Sequence, residues 1–286
     1  MDHKVSAIVN TYNEEKYIRN ALESIKWVDE IILVDMYSND KTVEISKEYT
    51  DKIYYFEYKG HPEPAKQFAL DKVSNEWVIV LDADEMIPLN LKNKLYELMK
   101  SNKFDMISIP HKNYFFGEIS TDNKNNYHLR FFKKANVTFG KGIHGKGTHY
   151  KKDSKVYRIK DGNLAIIHFA EDNFMDLFEK LDRYTTIEVQ NMNEGIKDYD
   201  FIQFINIIKR IIYFTYLYIG LYTQLLSKRK TITLYRHAFG MYYDSSILLK
   251  RRLNDKYNTL DYSNCILKDH GKIANEIISE YNKYKY

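Results

Sequence analysis

The stretch that decides the fold is residues 76–85, which read Glu-Trp-Val-Ile-Val-Leu-Asp-Ala-Asp-Glu. Five consecutive apolar residues are typical of a strand buried on both faces, as in a parallel sheet covered by helices. The run ends in acids, and open α/β sheets bind ligands beyond the carboxyl ends of their strands. Asp82 and Asp84 are two residues apart, so their carboxylates point the same way on an extended chain. We expect them to bind Mg²⁺ or Mn²⁺, which relieves their mutual repulsion; a solvated acidic turn is the alternative.

Working outward, the first hundred residues alternate strand and helix patterns with short links. Residues 5–10, 30–35 and 53–56 read as strands, and the segments after them carry apolar residues at helical spacing. This alternation predicts an α/β fold with a doubly wound, mostly parallel sheet flanked by helices. The segments 10–12 and 82–85 and the residue Asp35 should then meet at one edge of the sheet. Asn13 is expected to cap the first helix.

Composition and missing motifs exclude several classes of protein. No glycine-rich turn follows the first strand and no GxxxxGK[ST] occurs, which argues against a dinucleotide dehydrogenase and a P-loop enzyme. Cys265 is the single cysteine, and residues 1–5 lack the apolar core of a signal peptide, so we expect a cytoplasmic protein. The net charge of +4 is mild, and we expect no nucleic-acid partner. Residues 124–160 carry eleven Lys or Arg and one acid, either a solvated face or a groove for a diphosphate and an anionic acceptor.

Four motifs together resemble a known family. In chain order they are Val5–Asn13 with Glu14; Leu33–Asp35 followed by Ser38, Asp40 and Thr42; Lys66–Leu70; and Leu81–Glu85. This series is similar to the GT-A fold (Rossmann-like) family 2 glycosyltransferases, and more narrowly to the branch with lipopolysaccharide-core β-glucosyltransferases. The resemblance covers about the first 110 residues. It implies transfer of a sugar, with inversion, from a nucleotide-diphosphate sugar.

The resemblance also assigns nucleotide-binding roles. It implies that Asn10 and Tyr12 line the base pocket, with Tyr12 stacking on a pyrimidine. Asp35 would accept a hydrogen bond from the uracil N–H or the ribose, and Lys66 would lie near the nucleotide. Asp82 would be the acid on the ribose or metal side. Three of these residues have a purely structural alternative: core packing for Tyr12, a helix cap for Asp35 and a solvated helix position for Lys66.

Metal-binding roles follow from the same resemblance. Asp84 looks like the direct ligand of a Mn²⁺ or Mg²⁺ ion that bridges the donor's phosphates. His168, expected at the end of a strand over residues 163–169, would add a metal ligand or a diphosphate contact. Glu85 is open between a second acid behind the site and a residue that starts a helix.

The acceptor side departs from the family pattern. The related branch carries a strand arginine and a Gly-x-x-His-Glu element; here Arg130 is present, but residues 142–145 read Gly-Ile-His-Gly, with Gly145 where the glutamate is expected. An inverting transfer needs a base to take the acceptor proton. The candidates are His144, Glu118 and Asp122. The departure keeps open a second hypothesis, a catalytically impaired sugar-nucleotide-binding or membrane-associated scaffold protein.

The remaining chain reads as helical. We expect a catalytic domain over residues 1–170, with a nucleotide-sugar half at about 1–110 and an acceptor half at about 111–170, followed by a helical region over 171–286. Residues 201–226 are apolar and aromatic but interrupted by charges, which favours an amphipathic helix over a membrane span. That helix would pack on the protein or rest on the inner face of the cell membrane. Residues 235–253 and 273–284 read as two more helices, and the second of them would cover a surface or form a dimer.

These expectations combine into one leading hypothesis. The chain is an inverting, metal-dependent transferase that moves a hexose from a UDP-sugar to a glycan or lipid-linked acceptor, in biosynthesis of cell-surface polysaccharide or lipopolysaccharide. A nucleotidyltransferase is disfavoured, because no glycine- and lysine-rich loop follows the first strand. A dehalogenase-type phosphatase is disfavoured because Glu85 and Met86 follow Asp84.

Overall fold

The computed structural model describes residues 3–59, 63–115, 118–119, 126–140, 148–171, 174–190, 205–213, 215–216, 219 and 238–251. The chain divides into two compact units, and the division falls between Leu177 and Phe178. The first unit contains the sheet and the second is helical.

The first unit begins as an α/β alternation. Its elements up to residue 101 are β1 Val5–Thr11, α1 Ile18–Ser24, β2 Glu30–Asp35, α2 Thr42–Ser46, β3 Ile53–Tyr55, α3 Glu63–Lys72, β4 Trp77–Asp82, β5 Glu85–Met86 and α4 Leu89–Ser101. The following elements are β6 Met106–Phe115, β7 Glu118–Ile119, β8 Tyr127–Lys133, β9 Val137–Phe139, β10 Thr148–Tyr150, β11 Val156–Arg158, β12 Ile166–Glu171 and α5 Phe174–Gln190.

Most strands belong to one sheet with the order β3-β2-β1-β4-β8-β6-β12-β5. The first four strands are mutually parallel, and β12 is parallel to β6. Strand β8 runs antiparallel to both of its neighbours, β4 and β6. The predicted α/β fold with a mostly parallel sheet is therefore confirmed. The antiparallel insertion of β8 was not predicted, and it carries Arg130 into the middle of the sheet.

Hydrophobic packing on both faces explains why the central strands are continuous apolar runs. Val5, Ala7 and Val9 of β1 pack in one core cluster that also contains buried residues of α1 and α4. The intervening Ile8 belongs to a second cluster with Ala65, which lies on α3. Helices thus cover both faces, so the polar side chains of these strands are confined to the strand ends.

The described residues of the second unit are helical: the later part of α5, residues 205–213, 215–216 and 219, and residues 238–251. The Lys250 ammonium donates to the Asp182 carboxylate at 2.6 Å and to the hydroxyl of Thr186 at 2.6 Å, which ties the last segment to α5. Arg210 forms an ion pair with the buried Asp244, with Nε and Oδ2 2.8 Å apart. Within the described residues, no helix has both the length and the apolar character needed to cross a bilayer. The helix expected at residues 273–284 lies outside the described part.

The amino ends of the central strands are held by a buried carboxylate, Glu30 at the start of β2. Its oxygens accept hydrogen bonds from the Ser6 hydroxyl, from Lys52 Nζ at 2.6 Å, and from the backbone N–H and hydroxyl of Ser74, both at 2.8 Å. Burial alone opposes ionisation of Glu30, but these donors outweigh it and lower its pKa to about 2. One side chain therefore links β1, β2 and the loop before β4.

This cluster predicts acid sensitivity. Because the pKa of Glu30 is lower in the folded state than in the unfolded state, its stabilisation is present above about pH 4.5 and is lost as the pH falls toward 2. The Glu30→Gln variant should lose on the order of 3 kcal/mol of unfolding free energy at pH 7, and much less near pH 3. Urea denaturation across this pH range measures the difference. Glu57→Gln, at a 75% exposed carboxylate, is the control; equal pH dependence of the two variants would contradict the assignment.

Candidate active site

The strand register brings the predicted site residues to one edge of the sheet. Asn10 of β1 lies opposite Asp82 of β4, and Thr11 lies opposite Asp35 of β2. On the far side of the sheet, the short strand β5 pairs with β12, which places His168 opposite Glu85. The carboxyl ends of β1, β2 and β4 thus meet, as the alternation predicts.

A charged cluster follows β4 directly. Arg130 Nη2 donates to Asp82 Oδ2 at 2.6 Å and to Glu85 Oε1 at 3.0 Å. Glu85 is buried in β5, whereas α4 begins only at Leu89, so the helix-start interpretation of Glu85 is wrong. Burial opposes ionisation of both acids, but the charge of Arg130 outweighs it and lowers both pKa values. Burial likewise opposes the charge on Arg130, and the two carboxylates raise its pKa. All three groups are therefore charged at neutral pH.

The second oxygen of Asp82 faces a different cation. Lys66 extends from α3, with its side chain 14% exposed, and its Nζ lies 3.8 Å from Asp82 Oδ1. Oδ1 has no hydrogen-bond partner among the described residues. Lys66 is thus directed at the acid cluster, and its interpretation as a solvated helix residue is wrong.

Asp84 is paired with His168. The imidazole Nε2 lies 3.3 Å from Asp84 Oδ2, and Nδ1 lies 3.0 Å from Asn113 Oδ1 on the neighbouring strand β6. The backbone N–H of Phe169 also donates to the Asp84 carbonyl at 3.0 Å. His168 lies inside β12, not at the end of a strand as expected, because the strand extends to Glu171.

This pair fits a divalent cation bound by few protein ligands. A bound divalent ion would be held by a carboxylate oxygen of Asp84 and an imidazole nitrogen of His168, which lie 3.3 Å apart. Among the described residues, no group of three or more His, Cys, Asp or Glu is placed to hold a metal. An ion here would complete its shell with phosphate oxygens and water, as Mg²⁺ usually does.

Hydrogen bonds clasp the loops after β1 and β2 together. Asp35 accepts from the backbone N–H and hydroxyl of Ser38 at 2.9 and 2.6 Å, so it orders its own loop and does not cap α2. Asn13 has a left-handed backbone (φ 56°), and its side chain accepts from the Asn39 N–H at 2.9 Å. The predicted cap at Asn13 is therefore wrong, because α1 begins only after Tyr17. These hydrogen bonds hold Asp35 beside the end of β1.

Two side chains at the end of β1, Tyr12 and Asn10, differ in whether they contact a partner. The ring of Tyr12 stacks on Tyr58 with a centroid distance of 4.1 Å and an interplanar angle of 11°. Asn10 is 4% exposed, yet neither its side-chain oxygen nor its nitrogen has a hydrogen-bond partner among the described residues. A buried carboxamide without partners is costly, and it is typical of a position where a ligand supplies them.

Comparison with known proteins identifies the family. The model of the family described as Glycosyl transferase family 2 matches residues 6–159, more than half of the chain. The chain belongs to glycosyltransferase family 2. The family and the GT-A fold class predicted from the sequence are therefore confirmed.

Two relatives and one solved structure show how similar this family 2 glycosyltransferase is to known proteins. It is similar to the lipopolysaccharide core biosynthesis glycosyltransferase LpsC of Rhizobium meliloti, with 27% identity over 68% of this chain and 73% of that one. It is also similar to the glycosyltransferase SunS of Bacillus subtilis, with 28% identity over 55% of this chain and 37% of that one. Among solved structures, S. aureus TarS in complex with UDP is 20% identical, with a TM-score of 0.44 over 67% of each chain.

The acceptor side of this glycosyltransferase is described only in part. Glu118 lies in the two-residue strand β7, which pairs with the end of β6. Asp122, His144 and Gly145 lie outside the described residues. Some basic residues of the 124–160 segment have local structural roles: Lys133 pairs with Asp105 at 3.1 Å, and the guanidinium carbon of Arg158 lies 3.7 Å from the ring centroid of Tyr127.

Several residues of the site were not assigned from the sequence. Arg130 was noted as a strand arginine without a partner, and Asn113 and His111 carried no signal, because their partners are distant in the chain. His111 Nε2 lies 3.1 Å from Glu85 Oε1. The imidazole rings of His111 and His128 pack edge to face, with their centroids 4.5 Å apart. Burial, reinforced by the neighbouring His111 and Arg130, lowers the pKa of His128 to about 4, so it is neutral at pH 7.

The unpartnered carboxamide predicts a stability gain. In the ligand-free protein, Asn10→Leu should raise the unfolding free energy by about 1 kcal/mol, because it removes a buried polar group that makes no hydrogen bond. Urea denaturation measures the change. Asn136→Leu is the control: the Asn136 amide donates to Ser154 Oγ at 2.8 Å, so its loss should destabilise. A destabilised Asn10→Leu variant would show that Asn10 serves the fold itself.

Proposed function

We propose that this glycosyltransferase moves a hexose from a UDP-sugar to a glycan or lipid-linked acceptor, with inversion at the anomeric carbon. The observation that carries the proposal is the arrangement at the carboxyl edge of the sheet. There, Asp84 and His168 form a close pair, and the neighbouring Asp82 is compensated by Lys66 and Arg130. Such a surface offers a place for a cation, at Asp84 and His168, beside positively charged side chains that can face phosphates. A metal-bound nucleotide diphosphate requires both.

The nucleoside would lie over the ends of β1 and β2. Asn10 would supply a carboxamide donor and acceptor, and Tyr12 would stack on the base. Asp35, held beside Thr11 by the strand register, would accept from the uracil N–H or the ribose. One face of Tyr12 is already covered by Tyr58, so the base would use the other face or displace Tyr58.

The diphosphate would lie between the acid cluster and α3. Asp84 and His168 would hold a Mn²⁺ or Mg²⁺ ion, which when bound offsets the charge that develops on the leaving UDP. Lys66 would add a positive charge from the side of α3, and Asp82 would contact the ribose or the metal side of the donor. The family membership and the preformed 3.3 Å pair support this assignment.

The acceptor hydroxyl would attack the anomeric carbon from the face opposite the diphosphate, and a base would take its proton. Glu118, Asp122 and His144 are the candidate bases. Gly145, which replaces the glutamate of the related branch, favours a second candidate function: a catalytically impaired sugar-nucleotide-binding or membrane-associated scaffold protein. Such a protein would bind UDP-sugar without turnover.

The biological setting follows from the relatives. LpsC is named for lipopolysaccharide core biosynthesis, so we place the reaction in synthesis of lipopolysaccharide or another cell-surface polysaccharide. We keep residues 1–170 as the catalytic domain, with its acceptor half at about 111–170, and residues 171–286 as a helical region that also offers a surface for oligomerisation. The protein would work in the cytoplasm, at the inner face of the membrane.

Exposed apolar residues of the second unit support the membrane contact. Ile208, Ile211, Ile212, Tyr216 and Ile219 are all exposed, with Ile212 at 65% and Tyr216 at 66%. Their spacing of three and four residues places them on one face of the helix, which we call the apolar stripe. Aliphatic and tyrosine side chains beside cations such as Lys209 are typical of helices that lie at a membrane surface.

The metal pair is tested by Asp84→Asn. If Asp84 holds the ion, this variant should lose at least 100-fold of Mn²⁺-dependent UDP-sugar hydrolysis or transfer, because the amide is a weaker ligand that carries no charge. UDP release from a panel of UDP-hexoses is the measurement, and unchanged melting temperature shows that the fold survives.

Asp51→Asn, an exposed aspartate just before β3, is the matched control and should keep full activity. Equal activity of the two variants would remove the metal role. If the wild-type protein binds UDP-sugar tightly but never turns it over with any acceptor tested, the scaffold candidate is the correct one.

The apolar stripe is tested by Ile212→Glu combined with Tyr216→Glu. This variant should partition at least fivefold less onto anionic vesicles in a sedimentation assay, because two charges enter the contact face. Leu249→Glu changes another exposed aliphatic residue of the same unit, 58% exposed, and should bind like the wild type. Identical partitioning of all three proteins would discard the membrane contact.

A further inference from the structure

Glu85 has no role in the proposed reaction, yet its carboxylate has more polar partners among the described residues than that of Asp82 or Asp84. It is 1% exposed. Its Oε2 accepts from the backbone N–H of Asp82 at 3.0 Å, and its Oε1 accepts from Arg130 at 3.0 Å and lies 3.1 Å from His111 Nε2. A buried carboxylate costs several kcal/mol unless it is paired and hydrogen-bonded, and here both conditions are met.

The backbone of Glu85 is fixed as firmly as its side chain. Strand β5 pairs with β12, and in this ladder Glu85 lies opposite His168. Glu85 is therefore joined to the proposed metal ligand His168 through the main chain and to Asp82 through the side chain. It spans the short turn that carries Asp84, so it sets the separation of the groups on either side of that turn.

Arg130 is shared between two acids. Its Nη2 lies between Asp82 Oδ2 and Glu85 Oε1, and the Arg130 side chain is only 11% exposed. Asp82 and Glu85 share the same guanidinium nitrogen, so Asp82 is engaged through one oxygen, and its Oδ1 has no hydrogen-bond partner among the described residues. Without the charge on Glu85, the guanidinium is free to bind both oxygens of Asp82, the bidentate geometry that arginine and carboxylates favour.

We propose that Glu85 is a positioning residue: by sharing Arg130 with Asp82 and bonding the Asp82 N–H, it keeps Asp82 Oδ1 available to the donor and holds Asp84 opposite His168. This inference rests on the proposed binding of a UDP-sugar with a divalent metal. It assigns Glu85 no contact with substrate, and it predicts that the effect of changing Glu85 passes through Arg130.

The test is a charge-removal pair. Glu85→Gln has a single side-chain oxygen, so either the Asp82 N–H or the Arg130 and His111 donors lose their acceptor. It should weaken UDP binding in the presence of Mn²⁺ at least tenfold by calorimetry and raise the KM for the donor by a similar factor. Arg130→Gln and the double variant Glu85→Gln/Arg130→Gln complete a thermodynamic cycle: because the shared guanidinium is already gone, adding Glu85→Gln to Arg130→Gln should weaken UDP binding less than threefold further.

Controls separate positioning from loss of stability. Glu76→Gln makes the same change at a 57% exposed carboxylate just before β4 and should bind UDP like the wild type. A residue that only stabilises the fold would lower the melting temperature and leave the dissociation constant of the folded protein unchanged. If Glu85→Gln does not fold, His111→Gln is measured instead; it removes one contact to the same carboxylate and should weaken binding about threefold.

The outcomes are distinct. Wild-type affinity in Glu85→Gln, or in His111→Gln where that variant is used, overturns the positioning role. A Glu85→Gln change that weakens UDP binding as much in the Arg130→Gln background as in the wild type also overturns it, because the effect then does not pass through Arg130. If the wild-type protein does not bind UDP with Mn²⁺ at all, the proposed function fails and this inference fails with it. Weakened binding in Glu85→Gln, with little further weakening when Glu85→Gln is added to Arg130→Gln, supports both.

Discussion

The site depends on one electrostatic constraint: three acids are crowded after β4, and their charge has to be balanced inside the fold. Arg130 balances Asp82 and Glu85 from the antiparallel strand β8, Lys66 approaches Asp82 from α3, and His168 faces Asp84. These three partners come from three separate elements, β8, α3 and β12. Losing a partner would leave a buried or half-buried carboxylate uncompensated, a change that typically costs several kcal/mol. The cluster therefore constrains the positions of the surrounding strands as well as the chemistry.

The sheet brings these charged groups and the neighbouring strand ends to one edge. Parallel pairing of β1 with β2 and β4 places Asn10 opposite Asp82 and Thr11 opposite Asp35. Helices cover both faces of these strands, so polar side chains emerge only at the strand ends. The opposite edge is equally fixed, because Glu30 binds donors from Ser6, Lys52 and Ser74. One end of the sheet thus serves stability, and the other gathers charged groups and the unpartnered Asn10 carboxamide, where we propose that the nucleotide binds.

The sequence was sufficient for features encoded locally. The apolar run of residues 77–81 predicted β4, and the alternation of elements predicted a mostly parallel sheet. The sequence was insufficient where a contact joins distant residues: Arg130 is 48 residues from Asp82, and Asn113 is 55 residues from His168. Local rules also failed at Asn13, a good helix cap by residue type, because its hydrogen bond to the next loop holds it in a left-handed conformation. The sequence left the role of Glu85 open, because an acid that follows a strand can also start a helix. The pairing of β5 with β12 shows that Glu85 lies in a strand.

The most direct test of the central claim is a crystal structure of the protein soaked with UDP and Mn²⁺, with anomalous diffraction used to locate the metal. The account predicts a manganese peak between Asp84 and His168, with the diphosphate on the Lys66 side and the uracil at the ends of β1 and β2. A nucleotide bound elsewhere on the protein, or a metal peak away from this pair, would contradict it.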